Sequence, residues 1–477
     1  MNIRKILGFG VGPIATAGLG LVTVPAIAWA FTPEDVGRLN IVQIVVSFSV
    51  LLFSLGLDQA YVREYHEVID RAALLKSCFL PGIILLAIMV VPSALLSERL
   101  SYWLFGVSDS LYFWITLACT LAAFASRFLS LILRMQERAL AFSMSQVIPK
   151  AIFVLLIGLI VLADWPRQFL QLQLTLLAST VAVLLVFIWN TRQQWTLALG
   201  ASIDAPRLRG LLRFSVPLIF AGLAYWGLSA TSALALRSLS SLRELGIYSV
   251  ATSVAGFAAI FQSIFSVIWA PVVYKWVATE ADMSRVDQVA RQALAVVCSI
   301  FVMFGMFSWL IDYVLPSQYT QVKYLVLCSI AQPLLYTLSE VTCVGISITR
   351  RTMLSLWSTV AALLANLVFN ILLVPEFGAS GAVIANALAY LVFFVARTES
   401  SAYVWRQFPR AKLYVCITAA VFLSVLTVIL GPRFGGSFSL AWLAVLPLTV
   451  WTFRNEGRAV VRILQRESRR RKAALRT

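Results

Sequence analysis

Long apolar stretches recur from one end of this chain to the other, separated by short polar segments. A helix needs roughly 20 mostly apolar residues to cross the ~30 Å hydrocarbon layer of a bilayer. The pattern therefore predicts an all-α polytopic membrane protein with about 14 transmembrane helices. We place these spans near residues 7–31, 36–56, 73–96, 111–133, 142–163, 168–189, 212–236, 246–274, 290–315, 322–348, 353–374, 379–403, 413–430 and 438–453.

Two short sequence patterns recur in the two halves of the chain. PIATAGL at 13–19 resembles PLIFAGL at 217–223, and PEDVGRLNIV at 33–42 resembles LRELGIYSVA at 242–251. Duplicated bundles are typical of transporters with a substrate path between two lobes. The predicted domains are an N-terminal six-helix lobe (1–189), a cytoplasmic linker (190–211), a C-terminal six-helix lobe (212–405), two additional helices (406–453) and a basic tail (454–477).

Composition supports the membrane assignment. Of the 477 residues, 60% are hydrophobic and only 12% are charged, whereas a soluble domain has about 25% charged residues. The apolar run at 6–31 is longer than the ~7–15 residues of a signal-peptide core, so we interpret it as a retained first span. The six cysteines show no CxxC spacing, so we predict no metal site and no disulfide framework. The chain also lacks a GxxxxGK[ST] motif, so we predict no nucleotide site and no cofactor.

The charge distribution sets the predicted orientation. With the N-terminus in the cytoplasm, most of the 38 lysines and arginines fall in cytoplasmic segments, as the positive-inside rule requires. Both termini are then cytoplasmic. The net charge of +17 needs no nucleic-acid partner, and the basic tail is typical of a segment that binds anionic membrane lipids.

The segment GISITRRTMLSLWSTVAALLANLVFNILLVPEFGASGAVIANALAY (345–390) resembles the late-span signature of bacterial polysaccharide flippases. FTPEDVGRLNIVQ and LGLDQAYVRE are similar to the first hairpin of that family. The chain thus resembles the polysaccharide transporter, or O-antigen flippase, branch of the multidrug/oligosaccharidyl-lipid/polysaccharide exporter superfamily. The resemblance implies translocation of undecaprenyl-pyrophosphate-linked oligosaccharide across the bacterial inner membrane, by two lobes around a cationic cavity.

Two cations fall inside predicted spans. Arg127 lies seven residues before Arg134, about 10 Å from the cytoplasmic edge of its span, and Lys150 lies at a similar depth on the next span. An unpaired charge in lipid costs at least ~2.5–3.5 kcal/mol, whereas a wet cavity would let both cations receive a pyrophosphate. The alternative is that each pairs with helix carbonyls or extends toward the interface.

Other polar and aromatic residues within spans are further candidates. Glu340 could couple transport to an ion gradient, or it could simply pair with an arginine. Asn366 and Asn370 could contact sugars, although amides in membrane helices more often bond neighbouring helices. Tyr225 and Trp226 could stack on sugar rings, but aromatic residues also mark membrane interfaces.

The segment GLDQAYVREYHE (56–67) contains the only histidine of the chain and lies just past the cytoplasmic end of the second predicted span. Asp58, Arg63 and Glu64 could form a cytoplasmic gate that opens during transport. They could also belong to a solvated, ion-paired helix end, where Arg63 faces Gln59 and Glu67 because residues four apart face each other on a helix. A single histidine beside acids is a weak metal signal, so we predict no metal and no active site here.

Two other functions compete with the flippase. A cation-coupled multidrug exporter of the same superfamily would share the duplicated bundle, and a membrane glycan polymerase would also be polytopic and basic. The polymerase is disfavoured because the predicted outer loops are short and contain few titratable groups. We therefore predict a transporter and not an enzyme, with lipid-linked oligosaccharide and membrane lipids as partners. A glycan polymerase and a chain-length regulator are further candidate partners.

Overall fold

The computed structural model describes residues 3–136, 138–279, 283–435, 437–456 and 458, and within these ranges the chain is helical and contains no β-strand. Two one-turn 3₁₀ helices lie at 308–310 and 317–319. The α-helices are α1 (Ile3–Ala30), α2 (Pro33–Phe53), α3 (Leu57–Glu64), α4 (Arg71–Leu95), α5 (Ser97–Phe105), α6 (Ser110–Met135), α7 (Ala139–Leu162), α8 (Phe169–Asn190), α9 (Arg192–Gly200), α10 (Ala205–Leu239), α11 (Leu242–Ala278), α12 (Ser284–Phe307), α13 (Ile311–Val314), α14 (Val322–Ser329), α15 (Ala331–Thr342), α16 (Val344–Ile348), α17 (Met353–Val404), α18 (Ala411–Phe434) and α19 (Ser437–Thr452).

Each predicted span coincides with one of these helices or with consecutive helices, so the all-α polytopic prediction is confirmed. Eleven helices in the described ranges are long and apolar enough to cross a membrane, and two shorter apolar helices match the first and last predicted spans. α17 contains two predicted spans, joined at Gly378, whose φ of +52° breaks the helix. Next to this break, the backbone N–H of Ala379 donates a hydrogen bond to Glu244 Oε2 at 2.8 Å.

Polar residues at the ends of the apolar stretches determine where several helices begin. Thr32 precedes Pro33, whose fixed φ suits the first helical position, and the Thr32 side chain accepts from the N–H of Asp35. A free N–H in the first turn of a helix needs such a partner. The same role is played by three aspartates before α4, α6 and α10: Asp70, Asp109 and Asp204.

The chain folds into two compact units. The first unit contains residues 1–256, 315–319 and 366–382, and the second contains 257–314, 320–365 and 383–477. The first unit thus includes α9 and α10 in addition to the helices of the predicted N-terminal lobe. The predicted lobe and linker boundaries remain a prediction.

The predicted linker is largely helical, because α9 and the start of α10 lie within it. The Lys76 ammonium of α4 donates to the carbonyls of Leu199 and Ala201, each at 2.8 Å. A cation near the last carbonyls of a helix offsets both their unpaired oxygens and the negative end of the helix dipole. α9 is therefore held against α4 within the first unit.

The two copies of the repeated outer-turn motif meet each other in the first unit. A Cβ atom added at Gly37 of α2 would lie 2.2 Å from the carbonyl oxygen of Leu242, and one added at Gly246 of α11 would lie 1.8 Å from that of Pro33. Both distances are too short for any side chain. α2 and α11 therefore cross backbone to backbone, as small residues allow in membrane helices.

Candidate functional site

A cavity of about 680 Å³ lies inside the first unit, between α2, α6, α7 and α8. We call it the N-terminal cavity. Half of its lining residues are polar, although it lies between apolar helices. The polar lining residues are Gln43, Ser47, Ser54, Asp58, Ser126, Arg127, Ser130, Arg134, Ser145, Gln146 and Thr180.

α6 contributes both cationic residues of the N-terminal cavity. Arg127, Ser130 and Arg134 follow each other at i, i+3 and i+7, so they share one helix face. The two arginines are about 10 Å apart along the axis at 1.5 Å per residue. The opposite face is apolar and includes the buried Phe128 and Ile132. This burial fixes the rotation of α6 and directs the polar face into the cavity.

Arg127 forms an ion pair with Asp58 at the start of α3. Its Nη2 lies 2.6 Å and its Nε 3.2 Å from the same carboxylate oxygen, Oδ2. The side chain of Arg127 is 46% exposed and that of Asp58 is 9% exposed. Among the described residues, Nη1 of Arg127 has no hydrogen-bond partner, so this end of the guanidinium remains available to a ligand in the cavity.

The other predicted gate residues attach α3 to α10. The Arg63 guanidinium lies over the Phe214 ring at 4.3 Å, and the Glu64 carboxylate lies 3.4 Å from Arg207 Nη2. The expected ion pairs along α3 itself are thus replaced by contacts to the next repeat. Burial raises the pKa of the Tyr61 phenol on the same helix, so Tyr61 stays neutral. A gating role for this segment remains a prediction.

Lys150 is not brought to the N-terminal cavity, although its neighbour Pro149 lines it. The Lys150 ammonium instead donates to the carbonyl of Thr16 on α1, at 3.0 Å. This contact is the alternative that the sequence left open, in which the cation pairs with a helix carbonyl, and a role of Lys150 in substrate binding remains a prediction. Pro149 and Lys150 are adjacent on α7, and adjacent positions on a helix point about 100° apart. Pro149 therefore faces the N-terminal cavity, and Lys150 faces α1. Arg134, assigned from the sequence to the cytoplasmic edge, is the second cation of the cavity.

The two candidate asparagines lie within packed helices of the first unit. Asn366 donates to the carbonyl of Leu228 at 2.8 Å, and Asn370 donates to Ser232 Oγ at 3.1 Å. Both side chains are completely buried. In this arrangement they pack α17 against α10, which is the role that the sequence favoured, and contact with sugars remains a prediction.

The candidate aromatic pair lies on α10. Trp226 Nε1 donates to Ser47 Oγ at 3.1 Å, and its ring centroid lies 4.8 Å from that of Phe48. Ser47 itself lines the N-terminal cavity, whereas neither Tyr225 nor Trp226 does. Tyr225 is 40% exposed. Sugar stacking on this pair remains a prediction, and in the structure Trp226 orients a cavity-lining hydroxyl.

Glu340, the candidate coupling residue, forms an ion pair in the second unit. Its carboxylate lies 3.2 Å from Nη1 of Arg397, and the same Nη1 donates to Ser339 Oγ at 2.9 Å. This is the alternative that the sequence left open. Its partner, Arg397, is not among the candidates named from the sequence. Its place inside the predicted span 379–403 is the signal that could have identified it.

Metal ligands are not grouped in the described part of the chain, where no cluster of three histidine, cysteine or acidic side chains occurs. All six cysteines are free thiols there. The His66 ring packs edge-on against Tyr65, with 5.2 Å between the ring centroids. The site is therefore a cavity with two arginines, one paired carboxylate and several hydroxyl and amide groups.

Comparisons with known proteins agree with this architecture. Residues 3–278 match the family described as "Polysaccharide biosynthesis protein", while no curated protein sequence matches the chain. The fold is similar to that of the lipid II flippase MurJ in an inward closed conformation, with a TM-score of 0.68, 11% identity, and coverage of 95% of this chain and 99% of that one.

Two conformations of a multidrug resistance MATE family transporter of the MOP superfamily are also similar. The inward-facing one has a TM-score of 0.55 and 15% identity, over 81% of this chain and 95% of that one. The outward-facing one has a TM-score of 0.54 and 16% identity, over 88% and 95%. At these identities the likeness establishes the fold and nothing finer.

Proposed function

We propose that this chain, which belongs to the polysaccharide biosynthesis protein family, is a flippase for a lipid-linked oligosaccharide with a pyrophosphate headgroup. It would move the headgroup and its sugars from the cytoplasmic to the outer leaflet of a bacterial inner membrane, for the synthesis of a surface polysaccharide. The process is transport by alternating access and not catalysis. We infer that an ion gradient drives it.

The N-terminal cavity is the observation that carries this proposal. A pyrophosphate must lose much of its hydration inside a membrane protein, and this is tolerable only where cations and hydrogen-bond donors replace the water. Arg127 and Arg134 provide two guanidinium groups on one face of α6. Guanidinium groups can bind phosphate oxygens in a bidentate manner, and the surrounding hydroxyl and amide groups can contact phosphate or sugar.

The same two arginines disfavour the multidrug exporter. A cationic drug would be repelled by them, because only one carboxylate, that of Asp58, lines the N-terminal cavity among the described residues. Like charges in a site of low dielectric cost far more than in water. The two arginines thus favour a cargo with an anionic headgroup. The architecture, which is similar to that of MATE transporters, is compatible with an anionic lipid or with a cationic drug.

The remaining parts of the proposal follow from charge and chemistry. The distribution of lysine and arginine favours an orientation with both termini and the linker in the cytoplasm. A headgroup in the inner leaflet would then meet Arg134 first and Arg127 deeper in the membrane. A glycan polymerase, and with it a chain-length regulator, would use the delivered repeat units on the outer side.

Reconstitution of the full chain in proteoliposomes tests the proposal. The substrate is a fluorescent oligosaccharide on undecaprenyl pyrophosphate, and the readout is the fraction of sugar that an added glycosidase can reach with time. We expect Arg127→Ala and the double variant with Arg134→Ala to lose at least 10-fold in rate. Arg192→Ala is the matched control, because Arg192 lies over the Trp189 ring at 4.6 Å and does not line the cavity.

Two results would reject the proposed function. One is a wild-type rate equal to that of protein-free liposomes. The other is transport of a cationic dye, faster in Arg127→Ala than in the wild type, without any movement of pyrophosphate-linked lipid. That result would identify a drug exporter instead.

A further inference from the structure

The Asp58–Arg127 pair is unequally exposed, and this inequality bears on how a bound phosphate could leave. Only 9% of the Asp58 side chain is exposed, against 46% of Arg127. The carboxylate is therefore held against α6 and α3, while part of the guanidinium faces the N-terminal cavity. An anion that enters the cavity meets Arg127 while the carboxylate is already bound to it.

We propose that Asp58 is an internal counter-anion that competes with the substrate phosphate for Arg127 and so drives substrate release. The inference rests on the proposed function and assigns one step of it to one residue. A transporter must bind its cargo weakly enough to release it again, and a bidentate guanidinium–phosphate contact is strong in a site of low dielectric. The returning carboxylate replaces the phosphate and leaves no unpaired guanidinium behind.

The geometry allows this exchange to occur in steps. Asp58 uses Nη2 and Nε of Arg127 through a single oxygen, Oδ2, and Nη1 has no partner among the described residues. A phosphate oxygen can bind first at Nη1 while the ion pair is intact. A second phosphate oxygen then displaces Oδ2. At no stage is the guanidinium without an anion, which avoids the large cost of an isolated charge inside a membrane protein.

Asp58 also retains support after it is displaced. It lies in the first turn of α3. A carboxylate in the first turn of a helix is stabilised by the positive end of the helix dipole. The side-chain amide of Gln59 lies 3.4 Å from Oδ2 as a further, weaker partner. The displaced carboxylate can therefore stay ionised and close enough to return.

A neutral side chain at this position separates competition from simple structural support. Asp58→Asn keeps the size and most hydrogen bonds but removes the competing charge. We expect it to bind inorganic pyrophosphate at least 10-fold more tightly than the wild type and to transport lipid-linked substrate more slowly, because release is impaired. Asp58→Glu restores the charge and should recover the wild-type rate at least in part. A purely structural role would weaken binding and transport together.

The experiment uses the full chain in lipid nanodiscs and inorganic pyrophosphate as the probe, with binding followed by calorimetry and transport by the glycosidase assay. Glu67→Gln is the matched control, since Glu67 is an exposed acid just beyond α3 that does not line the cavity. Its removal changes the net charge equally and should alter neither readout. Thermal unfolding of each variant shows whether α3 is still in place.

Each outcome decides the matter. Tighter binding with slower transport in Asp58→Asn, and recovery in Asp58→Glu, supports the competition. Equal or weaker binding of pyrophosphate by a stably folded Asp58→Asn overturns it. If the wild type nevertheless binds pyrophosphate and Arg127→Ala abolishes this binding, the proposed function stands without the competition. If neither the wild type nor Asp58→Asn binds pyrophosphate, the phosphate site itself is wrong and the inference fails with it.

Discussion

The first and second units each contain an ion pair at a similar depth in a membrane helix. Arg127 lies eight residues before the end of α6, and Arg397 lies seven before the end of α17. In the first pair the guanidinium is 46% exposed and faces a cavity. In the second, Arg397 is 11% and Glu340 is 20% exposed. The two pairs share their chemistry and differ in their surroundings.

Aromatic packing explains the low exposure of the second pair. The Arg397 guanidinium lies 5.0 Å from the Phe393 ring centroid and 5.8 Å from that of Tyr336. The indole N–H of Trp269 donates to the backbone oxygen of Glu340 at 3.1 Å. A cation over aromatic faces is stabilised without water. The comparison teaches that a partner can be exchanged where a cavity borders the pair, whereas a pair enclosed by rings mainly supports the fold.

The largest expected effect is from Arg397→Ala. Removing one partner of an enclosed pair leaves an uncompensated charge and costs about 3–5 kcal/mol; we expect about 3 kcal/mol in the free energy of unfolding because Glu340 is partly exposed. Denaturant unfolding in detergent, monitored by tryptophan fluorescence, measures it. The double variant with Glu340→Ala should be more stable than Arg397→Ala alone, and a less stable double variant would contradict the ion-pair explanation.

A smaller effect is expected from Glu340→Gln, which keeps an oxygen for Arg397 but removes the charge. We expect a loss of about 1–2 kcal/mol in unfolding free energy, in the range of a charge-assisted hydrogen bond. If the pair also couples transport to an ion gradient, flux in proteoliposomes should stop responding to an imposed proton or sodium gradient. An unchanged gradient response would restrict the pair to a structural role.

Arg127→Ala should affect stability still less, by about 1 kcal/mol, because Asp58 lines the N-terminal cavity, where water can replace the guanidinium, and the dipole of α3 supports the carboxylate. The same unfolding assay measures this change. Transport should nevertheless fall at least 10-fold. If Arg127→Ala instead unfolds the protein as severely as Arg397→Ala, the distinction between an exchangeable pair and an enclosed pair is wrong.

The smallest effect on stability is expected from Arg134→Ala, because this side chain is exposed and exposed substitutions change stability little. We expect its unfolding to be indistinguishable from that of the wild type. Its transport should be slower, and the difference from the wild type should be largest at low ionic strength, because an exposed cation attracts an anion most strongly there. Transport measured across a salt series checks this. An equal rate deficit at all salt concentrations would argue against electrostatic capture.

The sequence predicted the helical framework well, because a bilayer imposes a length and a polarity on every span. It also identified Arg127 and Glu340 as charges inside spans. It did not identify their partners. Asp58 lies on a short helix outside the predicted spans, and Arg397 lies near the end of the predicted span 379–403, where a cation is common. Partner choice depends on how each helix is rotated and packed, and hydropathy contains little information about either.

Lys150 also shows that residue spacing does not determine which way a side chain points. Its depth matched that of Arg127, and depth was all that residue spacing could provide. In the structure Lys150 contacts Thr16 on α1. The second cation of the N-terminal cavity is Arg134, two helical turns after Arg127 on α6. Helix amphipathicity would have indicated this, because Arg127, Ser130 and Arg134 follow one polar stripe.

The crossing of Gly37 and Gly246 leaves no room for a larger residue at either position. The two glycines occupy matching places in the repeated motif, PEDVGRL and LRELGIY, and each provides the space that the opposing backbone fills. Even alanine at either glycine would force α2 and α11 apart, so this contact requires the same smallest residue in both copies of the motif.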